Sequence, residues 1–541
     1  MPQISARYLT FVVACLVFVL SLSLTLMHSE RSLWLVFLSG GLTLIGIIDL
    51  VQHKQALRRN YPILAHFRYF FESIRPEIRQ YFLEDDTYAK PFSRNQRSIV
   101  YQRAKVQTDK RPFGTQLDVY QDGYEWINHS IRPAPLADHN FRIEIGNHPD
   151  CPRAQPYRAS VFNISAMSFG SLSANAILAL NAGARLGGFM HDTGEGSISR
   201  YHRENGGDLV WEIGSGYFGC RNDDGTFSEE RFVANASSAQ VKMINLKLSQ
   251  GAKPGQGGIL PGAKVTIEIA NARGVPAGLD CLSPSSHSSF STPIELLHFI
   301  ERLRNLAGGK PTGFKLAIGH PWEFFGIVKA MLATGITPDF IIVDGGEGGT
   351  GAAPVEFSDH VGTPLQEALV LVHNTLVGAN LRDRVKIGAS GKIVTAFDVA
   401  RIIALGADWC NSARGFMFAL GCVQSQSCHT DRCPTGVATQ DLQRQKALDV
   451  PDKTSRVAHF HQNTMKALAQ LIAAAGLNHP SELRPHHLVR RVSPNQVKLA
   501  SALLPYLEAG ELLDAAQMHR LPPVFKLYWP IAQAESFHAI N

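Results

Sequence analysis

Cys422, Cys428 and Cys433 are the residues of this sequence best suited to hold something. The three thiols fall within twelve residues, spaced C-x5-C-x4-C, in the run CVQSQSCHTDRCPTGVATQ (422–440). Thiolates this close let a single loop wrap a soft metal centre. Two centres compete for it. With His429 the thiols make a Cys3His zinc set, but adjacent Cys428 and His429 crowd one tetrahedral ion and the spacing is not the usual zinc one. Three thiolates with a proline after the last suit an iron–sulfur cluster better. Cys15, Cys151, Cys220, Cys281 and Cys410 show no framework spacing and read as buried or incidental thiols of a reducing compartment.

A second chemistry comes from glycine-rich strings that carry charge: AMSFGSLS (166–173), DTGEG (192–196), KLSQGAKPGQGG (247–258), DGGEGGTG (344–351), GASG (388–391) and SARG (412–415). Any one of them is ordinary turn chemistry. Six on one face, with lysines beside them, point to a phosphate-bearing cofactor held by backbone amides. Gly391, Ala413 and Arg414 suit the phosphate. Lys247 and Lys315 suit an electron-rich ring edge or a substrate carboxylate, and Arg273 can clamp a carboxylate in bidentate fashion. Taken singly, each lysine is a rim residue and Arg273 a surface arginine. Glu347 and Lys315 are proton-donor candidates by position only.

These strings need elements that bring them together. Strand-like runs occur at 160–166, 188–192, 209–213, 241–247, 313–318, 340–344, 385–389 and 408–412, most followed by a polar loop and a helical stretch such as 174–186, 293–306, 322–334 or 395–405. Alternating βα units predict a parallel sheet, and eight of them predict an α/β chain built on a closed (β/α)8 TIM barrel over 158–440. A doubly wound sheet is the alternative, but it wants one nucleotide loop after the first strand, whereas here the glycine loops recur. Beyond Gln440 the sequence reads as a helical extension over 441–541.

The N-terminus is different in kind. Residues 8–27 carry no charge, and 32–51 carry only Asp49, so each run is long enough to cross a hydrocarbon core. The short break predicts a transmembrane helical hairpin over 1–52. Arg7 before it and Lys54, Arg58 and Arg59 after it put both ends, and the catalytic domain, on the cytoplasmic side of the inner membrane. Residues 53–157 read as a helical and irregular segment on the barrel or the membrane, with Phe67, Tyr69, Phe70 and Phe71 as interfacial anchors. Across the 541 residues a net charge of +6, with no basic block interleaved with aromatics, argues against a nucleic-acid partner.

AMSFGSLS, TGEG, SQGAKPGQGG, GGTGAAP and CPTGVATQ resemble, in order, the flavin-binding synthase domain of glutamate synthase. The whole chain is similar to the stand-alone, FMN-binding glutamate synthase family proteins of bacteria. The resemblance implies FMN in the barrel mouth, touched by Ala166, Met167, Ser168 and Lys247, with Gly391, Ala413 and Arg414 on its phosphate and Gly348 and Gly349 nearby. It implies a 3Fe-4S cluster on Cys422, Cys428 and Cys433. It implies that Lys253 and Arg273 hold 2-oxoglutarate, whose imine the flavin reduces to glutamate by hydride transfer, an oxidoreductase reaction of the CH-NH2 class. Several features depart from the full-length family. Residue 1 is Met where a glutaminase would begin with Cys, and no amidotransferase domain fits, so ammonia is expected in trans. No nicotinamide-binding module is evident, so electrons are expected from a donor protein or a membrane donor. Ile259 stands where the family's substrate site has glutamine, and WEIGSGYFG (211–219) replaces KQVASGRFG. A membrane-linked FMN dehydrogenase of another amino or hydroxy acid, favoured by the hairpin, and a non-catalytic electron relay, favoured by Ile259, are the other readings.

Overall fold

A computed structural model describes residues 6–27, 33–136, 138–147 and 154–539. The expected hairpin turn at 28–31 and Cys151 lie outside the described residues. The chain forms two compact units, Met1–Asp85 and Asp86–Asn541.

In the first unit, helices α1 (Leu9–Met27) and α2 (Leu33–Val51) have mean hydropathies of 2.6 and 2.0, and both are long and apolar enough to cross a membrane. They pack through small residues, as membrane helices do. A Cβ on Gly46 would lie 2.2 Å from the Phe11 ring, and one on Gly40 2.9 Å from Phe18. The Ser21 and Ser39 hydroxyls pair at 3.3 Å between them. After a short helical turn at Ala56–Asn60, a further helix of this unit, α3 (Leu64–Ile78), runs into a π-helical turn at Arg79–Leu83.

The second unit opens with α4 (Arg94–Ala104), whose start is fixed by a capping box between Ser93 and Gln96. Eight parallel strands then close into a barrel: β1 (Phe162–Ile164), β2 (His191–Asp192), β3 (Leu209–Ile213), β4 (Val241–Lys247), β5 (Thr312–Leu316), β6 (Phe340–Asp344), β7 (Lys386–Ser390) and β8 (Trp409–Ser412). Closure runs through β8 against β1, with Cys410 opposite Phe162. All eight strand-like runs of the sequence appear in this order. β2 is shorter than its run, because helix α5 (Ala174–Gly187) ends on Gly188 in the left-handed conformation at φ +65°, inside the expected strand. Short helices α6 (Ile267–Arg273) and α7 (Arg414–Leu420) follow β4 and β8.

The barrel is closed at its N-terminal end by an antiparallel hairpin, Arg142–Ile145 with Tyr157–Ser160. Its Ile145 and Ala159 pack with Met190, Val210, Met243, Phe340, Ile342 and Trp409 as one buried apolar floor. Trp409 fits only because its neighbour on β7 is glycine: a Cβ on Gly388 would sit 2.4 Å from the indole. On the outside, α8 (Val450–Ala474) lies against α5, where Gly183 leaves room for Val457, and the Asn463 amide donates to Arg103 O of α4 at 2.8 Å. The C-terminal extension is not helical throughout. Leu488–Ser493 and Gln496–Leu499 form a hairpin whose first strand pairs with Glu125–Ile127. The β-branched run around Val489 and Val492, turned by Pro494 and Asn495, prefers a strand to a helix.

Candidate functional site

Above the apolar floor the barrel interior changes character. Six consecutive strands, β2 to β7, contribute Asp192, Glu212, Asn245, Lys315, Asp344 and Ser390, and all but Asp344 are at most 5% exposed. Barrel interiors are normally filled by branched apolar side chains, and a buried charge costs stability unless it is paired. Here the pairing is dense. The Asn245 amide donates to Asp192 at 3.1 Å and to Glu212 at 3.4 Å. The Lys315 ammonium sits on the Glu212 carboxylate. Asp344 accepts the Ser390 hydroxyl, and the Gly251 N–H at 2.8 Å. Three carboxylates nevertheless face one ammonium. Burial, then repulsion from Glu212, pushes the Asp192 carboxyl up to about 7, against the pull of Lys315 and of hydrogen bonds from Gly194 and Asn245. Burial alone would lower the Lys315 pKa, but Glu212, Asp344 and Asp192 together carry it upward.

A second tier of charge lies at the strand ends. Lys247, the last residue of β4, pairs with Glu195 at 3.1 Å. Burial works to raise the Glu195 carboxyl, yet Lys247, with Arg273 and Lys315, brings it below its usual value. Two glycines make room for that carboxylate, since a Cβ on Gly258 would lie 2.2 Å from Glu195 Oε1 and one on Gly214 2.7 Å from Oε2. Lys253 is only 2% exposed, and its ammonium has no hydrogen-bond partner among the described residues. Burial lowers its pKa, Glu195 opposes this, and Lys247 adds to it. Arg273 ends α6, which starts on a Thr266 cap and stops at Gly274. Its Nη2 donates to Phe169 O at 3.2 Å and reaches Ser168 Oγ at 3.4 Å, while its buried Nε is unpartnered. Its guanidinium lies 5.3 Å over the Phe218 ring. The structure thus brings Ser168, Glu195, Lys247 and Arg273 to one mouth, with Lys253 close enough to feel Glu195 and Lys247. Ile259 pairs with Leu282 in a short hairpin and is 46% exposed.

The glycine loops surround this tier. Ala166 and Met167 follow β1, and the close approach of Gly194 to the Ser168 amide, 2.7 Å for a Cβ, packs the β2 loop on the β1 loop. Gly349 borders open space, since a Cβ there would meet nothing nearer than Arg414 Nη2 at 4.0 Å, whereas one on Gly348 would lie 3.1 Å from Gly345 O. Arg414 begins α7 and donates to Thr350 O at 3.4 Å, with Ala413 before it in helical conformation. Gly391 follows β7 and lies against Leu365 and Glu347. Of the two proton-donor candidates, Glu347 is turned to the Leu365 amide, which it accepts at 2.8 Å, and Lys315 is held in the lower tier by Glu212.

The thiol loop sits beside these loops. Gly351 comes within 3.6 Å of Cys428 Cβ, measured from the position of its own absent Cβ. Gln440 donates to Gly170 O at 3.1 Å and Leu172 O at 3.0 Å, and Lys264 donates to Cys428 O at 3.1 Å and Ala438 O at 3.3 Å. Tyr101 holds Cys422 O at 2.6 Å. Each sulfur has a polar neighbour: the Gln424 amide at 3.5 Å from Cys422, Arg414 Nη1 at 4.0 Å from Cys428, and the Thr435 hydroxyl at 3.5 Å from Cys433. Among the described residues no three His, Cys, Asp or Glu side chains converge as the ligands of one ion, and His429 is exposed.

The carboxylates are what sequence reasoning passed over. Glu195 lies inside a string read for its glycines. Glu212 interrupts the otherwise apolar strand LVWEI, and a lone charge in a strand buried on both faces is the signal that marks it.

A closed parallel barrel whose C-terminal mouth gathers buried cations among glycine loops has the architecture of a (β/α)8-barrel enzyme. Residues 139–478 match the family described as the conserved region in glutamate synthase, and the chain belongs to that family. It is 39% identical over 485 residues to the glutamate synthase large subunit-like protein YerD of Bacillus subtilis, covering 83% of this chain and 92% of that one. The archaeal glutamate synthase [NADPH] of Methanocaldococcus jannaschii is 35% identical over 341 residues, 62% of this chain and 63% of the relative. The match to the Bacillus subtilis glutamate synthase [NADPH] large chain, 34% identical, spans 66% of this chain but 23% of that one. Among solved structures, a mandelate oxidase aligns with a TM-score of 0.40 and 15% identity over 69% of this chain and 87% of that one, too slight a likeness to argue from.

Proposed function

We propose that this chain is an FMN- and iron–sulfur-dependent oxidoreductase of the glutamate synthase type, reducing 2-iminoglutarate, formed from 2-oxoglutarate and ammonia, to glutamate. The observation that carries this reading is the pair of buried cations in the mouth. Lys253, without a partner, and Arg273, with an unpartnered Nε, offer two positive groups to a substrate with two carboxylates. FMN fits the remaining features: open space at Gly349 beside Arg414, with Gly348 next to it, and the Ala166, Met167 and Ser168 loop and Lys247 at strand ends of the same mouth. The thiol loop suits a cluster through its composition, three thiols on one loop with a proline after the last, and through a polar neighbour at each sulfur. When bound, FMN supplies a hydride and a 3Fe-4S cluster on Cys422, Cys428 and Cys433 supplies electrons singly. The chain's own residues bind and orient the 2-oxo acid, neutralise its carboxylates and keep beneath the mouth a carboxyl, Asp192, that burial raises to about 7. Ammonia and electrons come from outside the chain, the latter from a donor protein or a membrane donor. The hairpin tethers the enzyme to the inner membrane with the barrel in the cytoplasm.

The test is anaerobic reoxidation of the dithionite-reduced holoprotein across a panel of 2-oxo acids with ammonia, followed by flavin absorbance and amino-acid analysis. 2-Oxoglutarate with ammonia is expected to restore the oxidised flavin and yield glutamate. A hydroxy acid that reduces the oxidised flavin, with 2-oxoglutarate and ammonia inert, would overturn the proposal in favour of a membrane-linked dehydrogenase.

A further inference from the structure

Asp49 is the one charged residue of α2, and it is buried. Its carboxylate accepts the Ile63 N–H at 3.0 Å and lies 2.9 Å from His66 Nε2 through both oxygens. Thr10 of α1 donates to Pro62 O at 3.0 Å. These bonds latch the start of α3 to the end of the hairpin. Along α3, Leu64, Phe67, Phe71, Ile74 and Ile78 recur every three or four residues and so share one face. Phe67 is 60% and Phe71 58% exposed, and beyond the helix Phe82 is 83% exposed. Tyr69 does not join them, because the Arg58 guanidinium covers its ring at 5.0 Å on another side. The opposite flank is polar, with an Arg68–Glu72 ion pair at 3.0 Å. Between α2 and α3, Lys54, Arg58 and Arg59 stand without an acidic residue among them.

We propose that α3 lies in the plane of the membrane surface, its aromatic stripe in the acyl boundary and the Lys54, Arg58 and Arg59 cluster on anionic headgroups. A soluble surface rarely carries so continuous an apolar stripe, whereas an interfacial helix requires one. A lipid surface is the occupant because the latch fixes α3 to α2, whose own outward surface is almost wholly apolar and exposed. A basic cluster beside a membrane helix is drawn to anionic lipid. The inference rests on reading α1 and α2 as a membrane hairpin.

The experiment places the photo-cross-linker benzoylphenylalanine at Phe71, Ser73 or Phe37 of the full chain, in nanodiscs of phosphatidylcholine and phosphatidylglycerol. Adducts are then identified by mass spectrometry. Phe37, exposed on α2, reports on the hairpin. Lipid adducts at Phe37, and at Phe71 at least tenfold above Ser73, are expected. Adducts at Phe37 with none at Phe71 overturn the placement of α3 alone, and none at either overturns the hairpin reading as well. Protein adducts at Phe71 would assign the stripe to a protein interface and sink the proposal. Asp49→Ala is expected to cut the Phe71 lipid yield severalfold and leave Phe37 unchanged, and an unchanged Phe71 yield would refute the latch.

Discussion

Asp192→Asn should change the sign of its effect on stability as pH rises. The folded-state pKa of Asp192 stands at about 7, against 3.8 for the free side chain. A carboxyl with a raised folded pKa leaves the fold unpenalised below the unfolded pKa. Stability is then lost as pH climbs through the window from 3.8 to about 7, because the unfolded chain ionises first. About three pH units at roughly 1.4 kcal/mol each give about 4 kcal/mol, fully lost by pH 8. Asparagine removes that loss. It also has one acceptor oxygen where Asp192 accepts from two donors, Gly194 N–H at 3.0 Å and the Asn245 amide at 3.1 Å. One donor is therefore orphaned, at a cost of about 1–3 kcal/mol at any pH. The variant should be less stable than the parent by about 1–3 kcal/mol near pH 4, and more stable by a similar amount near pH 8. Urea unfolding of the detergent-solubilised chain, followed through the buried Trp211 and Trp409, gives the difference between the two proteins at each pH. Titrating groups outside the Glu212, Lys315 and Asp344 cluster cancel in that difference. A gap that stays constant from pH 4 to 8, or opens in the reverse sense, would show that Asp192 does not hold the proton of the Glu212, Lys315 and Asp344 cluster.

Cys428→Ser should abolish bound iron, which elemental analysis of the parent should give as about three atoms per chain for a 3Fe-4S cluster; zinc in the parent would overturn the cluster. Lys253→Met removes the cation proposed above to hold a substrate carboxylate and should lower kcat/KM by at least thirtyfold, or roughly 2 kcal/mol. Its melting temperature should hold or rise, because burial already works against the charged ammonium; a fall in both would mark Lys253 as structural. Gly388→Ala forces a methyl to within 2.4 Å of the Trp409 indole and should cost about 1–3 kcal/mol in unfolding free energy, with the shift seen in the same fluorescence titration.

The barrel was legible because alternating strand and helix periods leave few alternatives once eight units are counted, and the glycine strings mark the strand ends. The mouth was legible in its cations and less so in its anions. Lys247 and Lys253 lie in a glycine string, where a charge draws notice, and Arg273 stands before a lone glycine, Gly274. Asp192, Glu212 and Asp344 lie within or at the ends of strands, and only closure of the barrel reveals that they face one another. Lys315 was visible as a cation at a strand end, but its partner, 103 residues earlier, was not. Glu347 illustrates the converse. Its place in a glycine loop suggested a proton donor, and the fold turns its carboxylate to the Leu365 amide, a contact set by a helix 18 residues on. The hairpin of Leu488–Ser493 with Gln496–Leu499 carries a local strand signal that the helical reading of 441–541 passed over, whereas its pairing with the three-residue strand Glu125–Ile127 is too remote to show in the sequence.

The charged tier and the thiol loop act on the same segment from opposite ends. The Gly251 N–H is fixed by Asp344, and a Cβ on Gly251 would lie 1.9 Å from Gly345 O, so the chain leading into Lys253 is clamped to the β6 loop. Further along, Lys264 reaches Cys428 O and Ala438 O, and Arg273 closes the segment on Phe169 O. Lys253 and Arg273, the two cations proposed to hold the substrate, therefore hang on a stretch tied to the barrel interior at one end and passing the thiol loop on the way to the other. A buried ammonium held by backbone carbonyls is costly to leave unmet. The thiol loop cannot shift without either stranding Lys264 or dragging the segment that carries Arg273. Under the proposed function, a group held by Cys422, Cys428 and Cys433 would therefore help to set the distance between Lys253 and Arg273, and with it the length of dicarboxylate that the mouth accepts.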